Sequence, residues 1–217
     1  MCGRFNLTAP EQQICEHFKL QCLPRYQTCF NIPPGQKILN VVKLDDNRFK
    51  AVYLLWGLIP SWSKDARISQ KLINARSETL QEKPSFRSAF KKRRCLVPAT
   101  GYYEWLQQTT GKQAFHICRR DKELFAFAGL WEYWEQDAGT VYSCTIITRA
   151  AVANLQAIHA RMPVILPPSS YEAWLNKSTT PGQLEQIMHS NTYEAWHFTP
   201  VSDWVNNPLH DDHHCLS

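Results

Sequence analysis

Residues 95–148 read CLVPATGYYEWLQQTTGKQAFHICRRDKELFAFAGLWEYWEQDAGTVYSCTIIT. Five runs of this stretch are rich in β-branched, aromatic and other apolar residues: 95–98, 102–106, 114–119, 124–131 and 141–148. Turn-forming residues separate the runs, namely Gly101, Gly111, Asp121 and Gly139. Short runs of this composition, divided by turn residues, are typical of antiparallel strands. We therefore predict that this stretch supplies most strands of a mostly antiparallel sheet.

The flanking segments add two strands and several helices. Runs 37–44 and 49–58 predict strands on either side of a turn at 45–47. Thr8 and Glu11 have the spacing of a capping box, which predicts a helix ending at about Phe18. Further helices are predicted at 77–93, at 149–159, after Ser169 and after Thr180. Seven strands with interspersed helices indicate an α+β fold with a mostly antiparallel, barrel-like core and peripheral helices. We predict one domain over residues 1–217, with a mobile C-terminal tail from about 208 to 217.

The composition excludes several classes of protein. With 217 residues, 44% hydrophobic and 20% charged, the chain is long enough for a packed domain and is not disordered by composition. No apolar run reaches the roughly 18 residues of a membrane span, and the first residues lack the apolar core of a signal peptide. We expect a monomer with no membrane partner. It should be cytoplasmic and nucleoid-associated in a bacterium, or nuclear in a eukaryote.

The cysteine pattern argues against a common metal site. The eight cysteines include no Cys-x-x-Cys pair, so the zinc-ribbon and thioredoxin patterns are absent. In a reducing compartment such thiols are mostly buried and act as small apolar groups. The segment His210-Asp211-Asp212-His213-His214-Cys215 contains metal-ligating residue types, but it lies at the chain end, where mobility is common. We predict no metal and no cofactor.

Positive charge is concentrated in one part of the chain. The formal net charge is +5, and residues 61–100 hold ten Lys and Arg against three acidic residues. A basic zone of this kind is typical of a protein that binds a phosphate backbone. A solvated helix face, especially at 91–94, explains the same pattern equally well.

The chain opens with Met1-Cys2-Gly3-Arg4-Phe5. If Met1 is removed, Cys2 carries a free α-amine beside its thiol, and this 1,2-aminothiol can condense with an aldehyde to form a thiazolidine ring. Two nucleophiles on adjacent atoms react with little entropic cost. Gly3 allows close approach of a ligand, and Arg4 is a bidentate donor for phosphate or carboxylate. The alternative is that Cys2 merely follows the start of translation.

Three further segments place a polar residue in apolar surroundings. Asn74 follows Leu-Ile and offers donors and an acceptor, with Arg76 two residues later; a loop Asn that caps a turn is the alternative. Glu104 lies among three aromatic residues, where burial would raise its pKa, unless it faces water. His159 could shuttle protons, with Arg161 two residues later, although a His at a helix end is usually structural.

These segments together resemble the SRAP (SOS response-associated peptidase) family of abasic-site processing proteins. The resemblance covers most of the chain and is carried by motifs in a specific order. They are Met1-Cys2-Gly3-Arg4-Phe5, Phe30-Asn31-Ile32-Pro33-Pro34-Gly35, Trp56-Gly57-Leu58-Ile59-Pro60-Ser61-Trp62, Asn74-Ala75-Arg76-Ser77-Glu78-Thr79, Arg94-Cys95-Leu96-Val97-Pro98, Gly101-Tyr102-Tyr103-Glu104-Trp105 and His159-x-Arg161-Met162-Pro163.

The resemblance implies a β-rich barrel fold, binding to single-stranded DNA, and a covalent thiazolidine between the N-terminal Cys and the aldehyde of an abasic site. It implies that Cys2 is the nucleophile, that Asn74 positions it and the opened sugar, that Glu104 is the acid/base residue, and that His159 assists imine chemistry and its reversal. The implied DNA-binding residues are Arg4, Arg76, Arg161, Trp56 and Trp62, the last two as a stacking surface.

Two positions depart from the family pattern, and two other functions remain open. Ala160 and Thr100 stand where the family commonly has Asp. The first alternative function is a cysteine-type autopeptidase that removes Met1. The second is a non-covalent single-stranded DNA-binding module that uses residues 61–100. Survival of the complex under denaturing conditions separates the covalent hypothesis from the module, and loss of Met1 without an added aminopeptidase would mark the autopeptidase.

Overall fold

The computed structural model describes residues 2–137, 139–190 and 196–217. Within these ranges the strands are β1 Phe5–Leu7, β2 Cys29–Ile32, β3 Lys37–Lys43, β4 Phe49–Trp56, β5 Asn74–Arg76, β6 Arg94–Ala99, β7 Gly101–Gln108, β8 Gly111–Arg119, β9 Phe125–Gln136, β10 Gly139–Ala150, β11 Arg161–Pro163, β12 Ile165–Leu166 and β13 Trp196–Val201. The α-helices are α1 Glu11–Phe18, α2 Arg87–Lys92, α3 Ala153–Gln156, α4 Tyr171–Leu175 and α5 Pro181–His189. Short 3-10 helices cover Ala66–Lys71, Ser77–Thr79, Pro168–Ser170, Asp203–Asn206 and His213–Leu216.

Five strands close into a barrel in the order β10-β4-β3-β6-β9. Ring closure follows because β9 pairs with both β6 and β10, while β10 also pairs with β4. The β10–β4 pair is parallel, and the other four pairs around the ring are antiparallel. The predicted α+β fold with a mostly antiparallel, barrel-like core is therefore confirmed, and the stretch 95–148 supplies three of the five barrel strands.

A second sheet, in the order β13-β8-β7-β1-β2, packs beside the barrel. Its strand β1 pairs antiparallel with β7 on one side and with β2 on the other. Phe5 of β1 joins the two sheets, since its ring lies 5.2 Å from the ring of Trp56 and 5.7 Å from that of Phe127, both edge-on. The buried residues of both sheets form one large core. The N-terminal strand is thus fixed in the centre of the molecule.

The C-terminal tail, for which mobility was predicted, packs against the second sheet. Cys215 is buried in a small second core with Tyr103 and Val205. The backbone nitrogens of Phe30 and Asn31 donate to the Asp211 carboxylate, which ties the tail to β2. The tail therefore covers the outer face of the second sheet, because it brings its own apolar side chain and a carboxylate for strand-end amides.

The sequence signals for helix starts were correct at one helix and wrong at another. The capping box of Thr180 and Gln183 is present and opens α5, as predicted. The capping box predicted at Thr8 is wrong, because Pro10 is the N-cap of α1 and the Thr8 hydroxyl bonds to Thr100 instead. Ser169 lies in a 3-10 helix, and α4 follows it without a side-chain cap.

The helix predicted at 149–159 is mostly wrong. Strand β10 continues to Ala150, and only Ala153–Gln156 is α-helical. Pairing with β11 extends β10 by opposing Arg149 to Met162, and this long-range pairing overrides the local helix propensity. No helix in the described ranges has the length and apolar character needed to cross a lipid bilayer.

Candidate active site

Strand pairing brings Glu104 next to the start of the chain. Phe5 lies opposite Tyr102, and the Tyr103 nitrogen donates to the Arg4 carbonyl at 2.9 Å. Continuing this antiparallel register places Glu104 opposite the residues that precede β1. Cys2 is fully buried there. Burial raises the pKa of the Cys2 thiol, and the negative charge of Glu104 raises it further, so the thiol is protonated at neutral pH in the full-length chain.

Asn74 holds the other side of Cys2. Its Nδ2 donates to the Cys2 carbonyl oxygen at 2.8 Å. Its Oδ1 is buried and accepts no hydrogen bond from the described residues. Leaving such an acceptor unpaired costs about 1–3 kcal/mol, so the site contains an acceptor with capacity to bind a donor. The neighbouring backbone is fixed because Trp56 Nε1 donates to the Ile73 carbonyl at 2.9 Å.

Glu104 combines burial with a nearby imidazole. Only 3% of the surface of Glu104 is exposed to solvent. Burial raises the pKa of this carboxyl, and the positive form of His159 counteracts part of that rise. A carboxyl group in this state exchanges a proton closer to neutral pH than an exposed Glu does, which is the property required of a general acid or base.

His159 lies between α3 and β11 and is half-buried. Its Nδ1 lies 3.0 Å from both the backbone nitrogen and the carbonyl oxygen of Arg161. The Arg161 backbone therefore provides the hydrogen-bond partner of this ring atom. The role of His159 in proton exchange stays a prediction. Strand β10 joins this segment to Asn74, since it pairs with β5 through Ile146 and with β11 through Ala150.

Two arginines flank β10 at Thr148. Arg76 lies opposite Thr148 in β5 and is exposed. Arg161 donates to the Thr148 carbonyl at 2.7 Å and forms a bidentate pair with Glu78, at 2.6 and 3.0 Å. The hydrogen bonds from Arg161 lower the pKa of Glu78 to about 2. Arg76 is thus the more accessible cation, and Arg161 is held in place by protein acceptors.

Comparison with known proteins gives the family of this chain. The model of the family described as SOS response associated peptidase (SRAP) matches residues 1–208. The chain belongs to the SRAP family. The resemblance predicted from the motifs is therefore confirmed.

Relatives and solved structures extend this result. The abasic site processing protein YoqW of Bacillus subtilis is 41% identical over 214 residues, which cover 96% of this SRAP chain and 95% of YoqW. The abasic site processing protein HMCES of Xenopus tropicalis is 30% identical, and the match covers 89% of this chain and 67% of HMCES. A crystal structure of a Bacteroides thetaiotaomicron protein has the same fold, with a TM-score of 0.86 at 24% identity and coverage of 99% and 98%.

Arg4 is tied to the C-terminal part of the SRAP chain. Its Nη1 donates to Asn31 Oδ1 at 2.8 Å and to the Val205 carbonyl at 3.0 Å. Its guanidinium also lies 5.9 Å from the centre of the Trp105 ring. Burial lowers the pKa of Arg4. These contacts give Arg4 a structural role in holding the segment between Cys2 and β1, and its role in phosphate binding stays a prediction.

The two predicted stacking tryptophans have different environments. Trp56 is 1% exposed and packs against Phe5 in the core, so the prediction that it stacks on a DNA base is wrong. Trp62 is 58% exposed and remains a candidate. The segment that carries it is anchored by Trp134, whose Nε1 donates to the Ser63 carbonyl at 2.6 Å. Trp56 instead positions the backbone next to Asn74.

Two residues with clear roles in this SRAP site were missed in the sequence. Glu78 pairs with Arg161, although it lies within the same short motif as Asn74 and Arg76. Asn31 is buried, accepts from Arg4, and donates through Nδ2 to the carbonyls of Val205, Asn207 and His210. A buried amide between Phe30 and Ile32 was the available signal, but the three carbonyls to which it donates are more than 170 residues away.

Within the described residues, three potential metal ligands lie close together near the C-terminus. Ligand atoms of Asp212, His213 and His214 all lie within 4.8 Å of one another. One oxygen of Asp212 already accepts from the His214 backbone and lies 3.0 Å from its ring Nδ1. Because that oxygen caps its own turn, the cluster has a structural explanation.

Proposed function

We propose that this protein processes abasic sites by binding single-stranded DNA, as a monomer, and linking its N-terminal cysteine covalently to the aldehyde of the opened sugar. The relatives named abasic site processing proteins support the substrate class. The observation that carries the proposal is the arrangement around Cys2, with the amide of Asn74 bonded to its carbonyl and a buried carboxyl of raised pKa beside its thiol.

The proposed reaction begins after Met1 has been removed. The α-amine of Cys2 adds to the aldehyde carbon of the ring-opened deoxyribose, and the resulting carbinolamine loses one water to form an imine. The Cys2 thiol then adds to the imine carbon, its proton passes to the nitrogen, and a thiazolidine ring closes. One water leaves in total, and no oxidant or reductant is required. Because amine and thiol share one residue, the second addition is intramolecular and fast.

The surrounding residues have separate roles in this proposal. Glu104 donates the proton that opens the sugar ring and accepts one from the α-amine, as its raised pKa allows. Asn74 fixes Cys2 through Nδ2 and binds the amine or a sugar hydroxyl through its unpaired Oδ1. His159 carries protons for loss of water and for the reverse reaction. Arg76 and Trp62, both exposed, contact the phosphates and bases beside the lesion.

Autopeptidase activity is the second candidate, because the family description names a peptidase. The scissile carbonyl would be that of Met1, on the N-terminal side of Cys2. Asn74 instead donates to the carbonyl of Cys2, on the other side of that bond. The amide therefore suits fixation of the cysteine better than stabilisation of an oxyanion at the Met1 carbonyl.

The proposal is tested with an abasic-site oligonucleotide and denaturing electrophoresis. We expect a protein–DNA band that survives hot detergent, is absent for undamaged DNA, and disappears in Cys2→Ala. Borohydride added early should trap the imine, and Cys2→Ser, which closes the ring more slowly, should be trapped more efficiently. A complex that is lost on denaturation would contradict the proposal and favour the non-covalent module.

A further inference from the structure

A large cavity with basic walls lies at the junction of β3, α2 and α4. Its volume is about 740 Å³. Its cationic lining residues are Lys43, Lys91, Lys92, Arg93, Arg94 and Lys177. We call this cavity the basic pocket. It contains none of the residues assigned to the reaction above.

Only part of this positive charge is neutralised by the described residues. Lys43 pairs with Glu172, Arg93 with Glu132, and Lys177 with Asp45. Three carboxylates therefore stand against six cations. Lys91 and Lys92 are exposed at the C-terminal end of α2, where they are free to reach a ligand in the pocket.

Arg94 supplies a charge that is built into the wall. It is 4% exposed, and its side chain donates to the carbonyls of Phe90, Lys91, Trp174 and Asn176. Burial lowers the pKa of Arg94 to about 10, so it remains charged at neutral pH. Because these partners are neutral carbonyls, its charge adds to the potential of the pocket. This buried side chain also corrects the interpretation of 91–94 as a solvated helix face.

An aromatic ring forms another part of the wall. Trp131 is half-buried and lines the basic pocket beside Arg93. Its ring centre lies 6.4 Å from that of Tyr142, which is exposed. Cations that contact phosphates, combined with aromatic rings on which bases stack, are typical of surfaces that bind single-stranded nucleic acid. A site for a free phosphate would need the cations but not the ring.

The basic pocket is separate from the active site, but strand β3 and a segment with exposed basic residues lie between the two. Lys43 lies at one end of β3, and Lys37 at the other end pairs with Leu55, next to Trp56 and the Asn74 segment. Six residues of strand span roughly 20 Å. The segment between Arg76 and the pocket carries the exposed Lys83 and Arg87. One strand of DNA several nucleotides longer than the lesion site could reach both.

We propose that the basic pocket is a second, non-covalent subsite for single-stranded DNA, which binds phosphates through Lys91 and Lys92 and stacks a base on Trp131. The choice of DNA rests on the proposed function, but the subsite needs neither Cys2 nor an abasic site. Its contribution should appear as affinity and salt dependence and leave the rate of crosslinking unchanged.

The test measures binding of undamaged, fluorescently labelled oligothymidylate of about 25 nucleotides by anisotropy over a range of salt concentrations. Lys91→Gln combined with Lys92→Gln should weaken binding about tenfold and reduce the salt slope by about 1.4, since each phosphate contact contributes about 0.7 on single strands. Trp131→Leu should weaken binding with little change in slope. Lys112→Gln with Lys122→Gln, two exposed positions outside the pocket, is the matched control and should change affinity less than twofold.

Three results would overturn the subsite. Equal weakening by the pocket and control variants would indicate a general charge effect. Unchanged affinity in the pocket variant would show that the pocket does not bind DNA. Binding of thymidine triphosphate as tight as that of the oligonucleotide would indicate a mononucleotide ligand. Crosslinking of a short abasic oligonucleotide, of about 6 nucleotides, is measured in parallel. If the wild-type protein does not crosslink this oligonucleotide, only the proposed function is contradicted, because binding of oligothymidylate does not depend on crosslinking.

Discussion

The active-site cluster of Cys2, Asn74, Glu104 and His159 and the basic pocket have opposite physical character. In the cluster, burial keeps the thiol protonated and raises the pKa of the carboxyl. In the pocket, charges are numerous, several are exposed, and an aromatic ring stands beside them. Proton transfer benefits from a dry site with few charges, whereas binding to a polyanion needs accessible ones. On the proposed function, this difference assigns proton transfer to the cluster and affinity for DNA to the basic pocket.

The largest expected effect is on the rate of crosslinking. Glu104→Gln keeps the shape and burial of the side chain but removes its ability to exchange a proton. We expect crosslinking to an abasic oligonucleotide to slow about 100-fold or more, which is the usual contribution of a general acid or base. Affinity for undamaged DNA, measured by anisotropy, should stay within a factor of two. A large loss of affinity at a normal rate would assign Glu104 to binding.

The next effect is on stability and concerns the wall of the basic pocket. Arg94→Met removes the donors that satisfy four backbone carbonyls. Unsatisfied buried acceptors should reduce the free energy of unfolding by about 2–3 kcal/mol, measured by urea denaturation. Lys91→Gln, on the exposed side of the same pocket, should change it by less than about 0.5 kcal/mol. Equal effects would mean that Arg94 is no more structural than its exposed neighbours.

A smaller effect is expected on affinity near the active-site cluster. Arg76→Gln removes an exposed cation two residues from Asn74. Binding to single-stranded DNA should weaken about fivefold, and the salt slope should fall by about 0.7. Arg120→Gln, which is also exposed but lies in the loop after β8, serves as the control. If the two variants behave alike, the phosphates lie elsewhere.

The smallest effect is the pH dependence of stability that Glu104 contributes. Its pKa in the folded protein is raised by burial, so the folded state binds this proton more tightly than the unfolded state does. Proton binding by Glu104 therefore stabilises the folded state fully below the ordinary pKa of about 4.3. This stabilisation is lost as pH rises through the raised pKa of the folded state. Subtracting the unfolding free energy of the wild type from that of Glu104→Gln should give a difference that increases over this window. A flat difference would mean that the pKa of Glu104 is ordinary.

The strands could be predicted because their signals are local, whereas contacts between distant residues could not. Alternation and turn residues placed the five strand runs within 95–148, and the structure has β6 to β10 there. The break between β6 and β7 falls at Thr100, and Gly101 already lies in β7. A Cβ at Gly101 would come within 2.1 Å of His116 Nε2, and no local pattern indicates that approach.

The candidate site shows the same division. Cys2, Asn74, Glu104 and His159 stood out because each is a reactive or polar residue in apolar surroundings, and the structure places Cys2 next to both Asn74 and Glu104. Trp56 looked like a surface residue beside Trp62, but barrel closure buries it. The packed tail likewise depends on Asp211 reaching β2 across about 180 residues of sequence. Burial and long-range pairing are properties of the closed fold, so single motifs do not reveal them.

Intact mass spectrometry of the purified protein, before and after incubation with an abasic oligonucleotide, tests the central claim most directly. We predict that the protein begins at Cys2 and gains the mass of the oligonucleotide less one water, and that Cys2→Ala gains nothing. A protein that retains Met1 and still forms the adduct would contradict the account, because the nitrogen of Cys2 would then be an amide and no thiazolidine could close.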